Sequence, residues 1–275
     1  MGTSKTDSSF FHLDPLEQTL REALVRKEFV LYYQPYRNLK TQEVAGVEAL
    51  IRWQRPKCGL IYPDDFIPCA ERSDLIELLG EWVLWQACAQ MSRWKTIGLD
   101  VPSISVNVSP RQFNQSSLAT VVQTVLATTN LSPEKLDLEI TESTVATDEK
   151  KMIEGVASLR QLGVKISIDD FGMGYSSLAR LRVMQVDRIK IDRSFISELT
   201  LNSKDASLVR SIVHLAKLLN LNVVAEGIED AKILTKVQAM GCDQGQGYYF
   251  SKPLSATDCT EYLRADKRLK CLDFA

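Results

Sequence analysis

Residues 29–53 read FVLYYQPYRNLKTQEVAGVEALIRW, two apolar runs joined by a short polar link. The runs Phe29–Gln34 and Val44–Ile51 are rich in aromatic and β-branched residues and have the length of strands rather than helices. The link Pro35–Glu43 is too short and too polar for the crossover helix that a parallel pair requires, so these two strands are expected to pair antiparallel. Six more strands are read downstream: Ser103–Val108, Leu136–Ile140, Val164–Asp169, Arg188–Ile191, Asn222–Glu226 and Gly247–Phe250. Helical patterns separate most of them, at Asp74–Lys95 before Gly98, Asp148–Leu162 before Gly163, Lys204–Leu219, and Asp230–Met240 before Gly241. Each ends near a glycine or a turn-forming polar residue. An earlier helix opens at Asp14 as N-cap with Pro15 in its first turn. Strands alternating with helices imply parallel pairing, and eight strands imply closure. The fold class expected is α/β, a modified TIM (β/α)8 barrel with an antiparallel first strand.

Composition sets limits on partners and compartment. The chain has 275 residues, 45% of them hydrophobic, enough for one large core. Residues 1–13 are polar and aperiodic, and are expected to form a disordered tail or an expression remnant, with residues 14–275 a single domain. No linker or internal repeat divides that stretch. The formal net charge of -2 and a pI near 5.9 give no general reason to bind duplex nucleic acid or an anionic membrane. No apolar run reaches the roughly 18–20 residues that span a bilayer, and no signal-peptide core is present, so the expected location is cytoplasmic. Six cysteines (Cys58, Cys69, Cys88, Cys242, Cys259, Cys271) are scattered without a CxxC pair and read as reduced thiols, not as zinc ligands or disulfides.

The acids carry the functional information. Glu48 lies inside VAGVEALIRW and Glu139 inside LDLEIT; Asp169 and Asp170 follow VKISI, and Glu226 ends LNVVA. Asn107 lies inside SISVNVS. An ionised carboxylate in a barrel strand costs several kcal/mol unless paired or metal-bound. One such acid is ordinarily the partner of an internal Lys or Arg; five at strand C-termini point instead to the end of the barrel where sites are built. Oxygen ligands without His or Cys suit Mg²⁺ or Mn²⁺. More carboxylates than one ion needs suggest two, a device that hydrolyses phosphodiesters with the ions roughly 4 Å apart. Asp169 is then the natural bridging ligand. Lys190, inside RIKI, is either an ion-pair partner for the acids or the group that orients the attacking water, and the two roles are compatible. Arg52 is either a surface arginine or a clamp on a phosphate or a base edge. His12 in the tail and His214 in mid-helix support no Ser-His-Asp arrangement, and DDFGMGYSS (169–177) lacks the Gly-Lys-Ser/Thr ending of a P-loop.

Seven ordered motifs resemble those of the EAL-domain cyclic di-GMP phosphodiesterases: EALIRW from Glu48 preceded by YYQP, SVNVSPRQF from Ser105, LEITES from Leu138, DDFG from Asp169, KID from Lys190, AEGIE from Ala225, and GCDQGQGYYFSKP from Gly241. The resemblance covers about Asp14 to Tyr262. It implies that Glu48, Asn107, Glu139 and Asp169 bind one metal, with Asp169, Asp170 and Glu226 around the other. It implies that Lys190 and Gln246 stand beside the metals and the catalytic water, and that Glu142 steadies the loop after Asp170. Gln34, Leu50 and Arg52 match substrate-contacting positions, and Glu229 an acid near the substrate. Implied cofactors are two Mg²⁺ or Mn²⁺, with Ca²⁺ inhibiting; implied partners are cyclic di-GMP, a second copy in a homodimer, and sensory or diguanylate cyclase modules that this sequence does not contain. One departure stands out: relatives commonly read DFGTG where this chain has Met173 in place of the threonine. The reading is of an enzyme that opens cyclic di-GMP to linear pGpG. Its alternatives are a catalytically silent receptor for the same nucleotide and a purely structural barrel, which would leave the buried acids unexplained.

Overall fold

The computed structural model of the protein describes residues 14–114, 117–142, 149–173, 181, 183–199 and 203–272. Among these, nine strands form one sheet: β1 (Phe29–Asn38), β2 (Val44–Arg55), β3 (Gly59–Ile61), β4 (Ile104–Val108), β5 (Leu136–Thr141), β6 (Lys165–Phe171), β7 (Arg188–Ile191), β8 (Asn222–Ala225) and β9 (Gln244–Gly245). Their order is β1-β9-β8-β7-β6-β5-β4-β2-β3, and β1 also pairs with β2, so eight strands close a barrel and β3 extends β2 outside it. β1 is antiparallel to both of its neighbours, and the other barrel pairs are parallel. The short link after Gln34 therefore reverses the chain as expected. The strands run beyond their apolar runs, to Asn38 and Arg55, leaving a tight turn in which the Asn38 side chain accepts from the backbone N–H groups of Lys40 and Thr41.

Alternation along each strand divides the molecule radially. Outward residues, among them Val106, Leu138, Ile140, Ile166, Ile168, Ile189 and Val223, are sealed beneath the helices. The crossover helices include Leu75–Thr96, Leu118–Thr129, Glu149–Gln161, Ser203–Leu218 and Ala231–Met240. Each such side chain contributes roughly 1.5–3 kcal/mol on burial, so the apolar core lies between barrel and helices. A smaller cluster, with Leu20, Phe29, Trp53 and Phe66 at its centre, packs the first helix, Pro15–Val25, against the β2–β3 extension. Inward residues are largely polar and fall into layers. The lower layer holds a buried pair in which Arg188 sits 2.7 Å from Asp137, Ser167 donates to Asp137, and Arg188 donates to the Tyr36 hydroxyl at 3.2 Å. Gly46 is required beside it, since a Cβ there would lie 2.3 Å from the Tyr36 hydroxyl. Asp137→Ala would leave the Arg188 guanidinium buried and unpaired, and is expected to cost about 3–5 kcal/mol in urea unfolding. A loss below about 1 kcal/mol would mean that the pair is not what holds the barrel floor.

One sequence expectation needs correction. The eighth strand is not Gly247–Phe250: β9 is Gln244–Gly245, and residues 247–250 form a turn. The apolar run GYYF misled because Tyr248 and Tyr249 are exposed on the rim, 58% and 45%, while the true strand is polar and two residues long. The helix read from Asp148 begins within the described residues at Glu149. Residues 1–13, Asp148 and the loop beyond Met173 lie outside the described residues. Of the described cysteines, Cys69, Cys88, Cys242 and Cys259 are buried and Cys58 is exposed, all as free thiols. No helix among the described residues is long and apolar enough to cross a membrane.

Candidate active site

One layer above Asp137 and Arg188, the next inward position of each strand supplies the site. Glu139 stands two residues after Asp137, Lys190 two after Arg188, Asp169 two after Ser167, and Glu48 two after Gly46. Pairing sets Gln34 opposite Glu48, and Asn107 opposite Glu139. The parallel strands point their C-terminal ends the same way, so these side chains meet at one mouth of the barrel.

Four carboxylates converge on one ammonium. Lys190 Nζ lies 2.7 Å from Glu226, 2.8 Å from Glu139, 3.2 Å from Asp169 and 3.6 Å from Glu48. Glu48 also accepts from Asn107 at 2.9 Å and from Gln246 at 2.6 Å, and Gln246 reaches Gln34 at 3.1 Å. Burial works to raise the Glu48 carboxyl, but the Lys190 charge and these two donors outweigh it and hold it below the usual range. Burial pushes Glu139 well above the usual range and Glu226 up to about 8, both only partly offset by Lys190. The surrounding carboxylates overcome burial at Lys190 and hold its ammonium charged. Asp170, at the exposed edge of the cluster, is raised by partial desolvation and then by the neighbouring Asp169 and Asp192. Four acids and one cation leave the cluster short of positive charge. It is also short of donors, since Gln246 Oε1 is buried without a hydrogen-bond partner and Asp169 Oδ1 has only the shared Lys190 ammonium, 3.2 Å away.

Those features fit divalent cations. The donors are hard oxygens with no His or Cys among them, and one buried acceptor, Gln246 Oε1, belongs to a side chain bonded to Glu48 and has no partner of its own. Among the described residues no three acids form a closed ligand shell, because their oxygens converge on Lys190 instead. Glu48, Asn107, Glu139, Asp169 and Glu226 are the residues that could hold such ions, with Asp170 beside them.

The other expected residues are distributed unevenly. Gln34, Leu50 and Glu229 line the cleft over the cluster, a space of about 210 Å³. Asp170 is exposed and takes a left-handed backbone, φ 54°, which starts a turn closed by Met173 N–H donating to Asp170 O. Glu142 is buried and accepts from the Gly172 N–H at 3.0 Å, so it holds that turn. Gly172 itself has φ 105° and would meet Phe195 at 2.8 Å if it carried a Cβ. Met173 is 65% exposed, with the Ser194 hydroxyl 3.4 Å from its sulfur. Arg52 is no surface arginine: it is 6% exposed, and its guanidinium lies over the Tyr62 ring. Sequence reasoning missed Arg193 and Tyr248, which also line the cleft. Arg193 follows the KID run directly, and Gly227 (φ 73°) makes room for it, since a Cβ there would meet Arg193 Cβ at 2.6 Å. That adjacency was legible; Tyr248 was hidden by being read as strand.

Comparison with known proteins agrees with this layout. The EAL domain family matches residues 17–253. The bifunctional diguanylate cyclase/cyclic di-GMP phosphodiesterase MucR of Pseudomonas aeruginosa is 44% identical over 237 residues, 86% of this chain and 35% of its own length. The cyclic di-GMP phosphodiesterase PdeR of Escherichia coli is 39% identical over 241 residues, 88% of this chain and 36% of its own. The chain thus spans about a third of the length of these curated relatives. Among solved structures, the PaMucR phosphodiesterase in complex with c-di-GMP superposes with a TM-score of 0.86 at 43% identity, covering 89% of this chain and 99% of that one. An EAL domain protein from Listeria monocytogenes gives 0.75 at 32% identity, covering 90% and 96%. With a family match over most of its length and a relative that it covers almost completely, the chain belongs to the EAL domain family.

Proposed function

We propose that the chain is a phosphodiesterase that hydrolyses cyclic di-GMP to linear pGpG with two divalent cations, Mg²⁺ or Mn²⁺. The observation that carries the proposal is the convergence of Glu48, Glu139, Asp169 and Glu226 on Lys190 at the barrel mouth, an acid excess that needs more positive charge than the protein supplies. In this reading Glu48, Asn107, Glu139 and Asp169 hold one cation, and Asp169, Asp170 and Glu226 the other. When bound, the cations lower the pKa of water and neutralise charge developing on the phosphoryl group. Lys190 orients the attacking water from beneath and offsets the charge of the acids. Gln246, with one face on Glu48 and Gln34 and its Oε1 unpartnered, accepts a hydrogen bond from that water. Gln34, Leu50, Arg52 and Glu229 position the nucleotide. Dimerisation and attachment to sensory or cyclase modules belong to the same reading.

The test is incubation of the protein with cyclic di-GMP and each ion, with products separated by chromatography. No pGpG under Mg²⁺ or Mn²⁺ would sink the proposal, and tight nucleotide binding without turnover would favour the silent receptor. Ca²⁺ is expected to bind yet support little turnover, because its looser shell misplaces the water. The turn after Asp170 gives a further expectation. Glu142→Ala removes the acceptor that fixes Gly172, and should raise the Mg²⁺ concentration needed for half-maximal rate. Met173→Thr changes an exposed side chain and should alter turnover by less than about tenfold, or roughly 1.4 kcal/mol in barrier. A Met173→Thr variant that awakens an inert native protein would show that the turn disables the site.

A further inference from the structure

Register places Leu50, Arg52, Tyr32 and Tyr62 above the acid cluster. Along β2, Glu48, Leu50 and Arg52 share that face, and Arg52 lies roughly 13 Å up the strand from Glu48. Tyr32 of β1 pairs with Leu50, and β3 returns alongside β2 with Ile61 opposite Trp53, which brings Tyr62 beside Arg52. The Arg52 guanidinium consequently lies over two rings, 4.9 Å from the Tyr62 centroid and 5.9 Å from that of Tyr32. Its Nη1 donates to Ile51 O at 2.8 Å. Arg52 is buried by this arrangement, whereas Tyr62 is 56% exposed and keeps a large aromatic surface toward solvent at the mouth.

The ring contact and the bond to Ile51 O restrain the guanidinium, and the exposed Tyr62 ring stays available to another flat group. A planar ring against a planar cation is also how proteins hold bases without reading their edges. We propose that Tyr62 is a substrate-positioning residue, which clamps the Arg52 guanidinium and stacks on one guanine base of the cyclic dinucleotide. The inference rests on the substrate class proposed above. It assigns to Tyr62 ground-state binding and no part in bond cleavage, because the ring stands well above the acids.

The test compares Tyr62→Ala and Tyr62→Phe with the native chain on cyclic di-GMP and on bis(p-nitrophenyl) phosphate, a phosphodiester that carries no base. Tyr62→Ala should raise KM for cyclic di-GMP about tenfold while kcat stays within about threefold. Tyr62→Phe should stay within about twofold in both, and neither variant should change the base-free reaction by more than that. A KM for Tyr62→Ala within about twofold of native, or equal losses on both diesters, overturns the inference. Since Tyr62 is exposed, a melting temperature close to native should accompany each variant. If the native protein binds no cyclic di-GMP by calorimetry, the substrate assignment itself fails and the inference with it. An unchanged KM in an active enzyme sinks the inference alone.

Discussion

Lys190→Met should abolish measurable turnover and, in the metal-free protein, lower unfolding stability by about 3–5 kcal/mol, the cost of breaking a buried ion pair by removing one partner. The methionine matches the stem of lysine in length and packs without strain, so the loss isolates the charge. Four carboxylates would remain within the former reach of a single cation, with Glu48 still holding Asn107 and Gln246 as donors. They relieve the strain by taking up protons, which is why the loss is bounded. Divalent cations supply the missing charge in another way, and saturating Mg²⁺ should restore much of the melting temperature by mass action without restoring turnover. Thermal unfolding with and without Mg²⁺, beside a pGpG assay, reads both effects. A metal-free melting temperature equal to native would mean that the acids are already neutral and that Lys190 is not their counter-charge.

Glu48→Ala is expected to reduce cyclic di-GMP turnover by at least about a thousandfold, roughly 4 kcal/mol in barrier. Glu48 is the acid with the most partners: Asn107, Gln246 and Lys190 all address it, and the first two hold its carboxylate in position for a cation. Its removal also frees Gln246, which would lose the contact that aims its other end at the reacting water. Relief of crowding commonly stabilises a site from which an acid is deleted, but Glu48 stands below the usual carboxylate range, and the deletion takes the acceptor from the buried Gln246 amide and from the Asn107 amide at the mouth. The metal-free variant should therefore melt no higher than the native chain, whereas Glu139→Gln, at a position pushed well above that range, should melt higher. Near-normal turnover by Glu48→Ala would overturn the proposed ligand set.

Most of the barrel was legible because its signals are local. Apolar runs of strand length, helices closed by Gly98, Gly163 and Gly241, and a link too short for a crossover helix all act within a few residues of chain. The eighth strand was not legible. A two-residue ladder at Gln244–Gly245 draws its stability from neighbours β1 and β8 and from nothing in its own composition, while the rim tyrosines imitate a strand. The acids were legible as anomalies, since a carboxylate inside an apolar run needs a reason.

What sequence alone determined, then, was which residues are chemically out of place: Glu48, Glu139, Asp169, Glu226 and Lys190 each break the apolar pattern of a strand. Only the tertiary structure decided how they are shared out. Strand register and barrel closure turn residues between 21 (Asp169) and 142 (Glu48) positions from Lys190 toward its ammonium, raise some carboxyls and lower another, and set Glu142 to hold a turn. The same closure buried Arg52 against Tyr62, through a strand pairing that no local pattern specifies, because the contact depends on where β3 comes to rest beside β2.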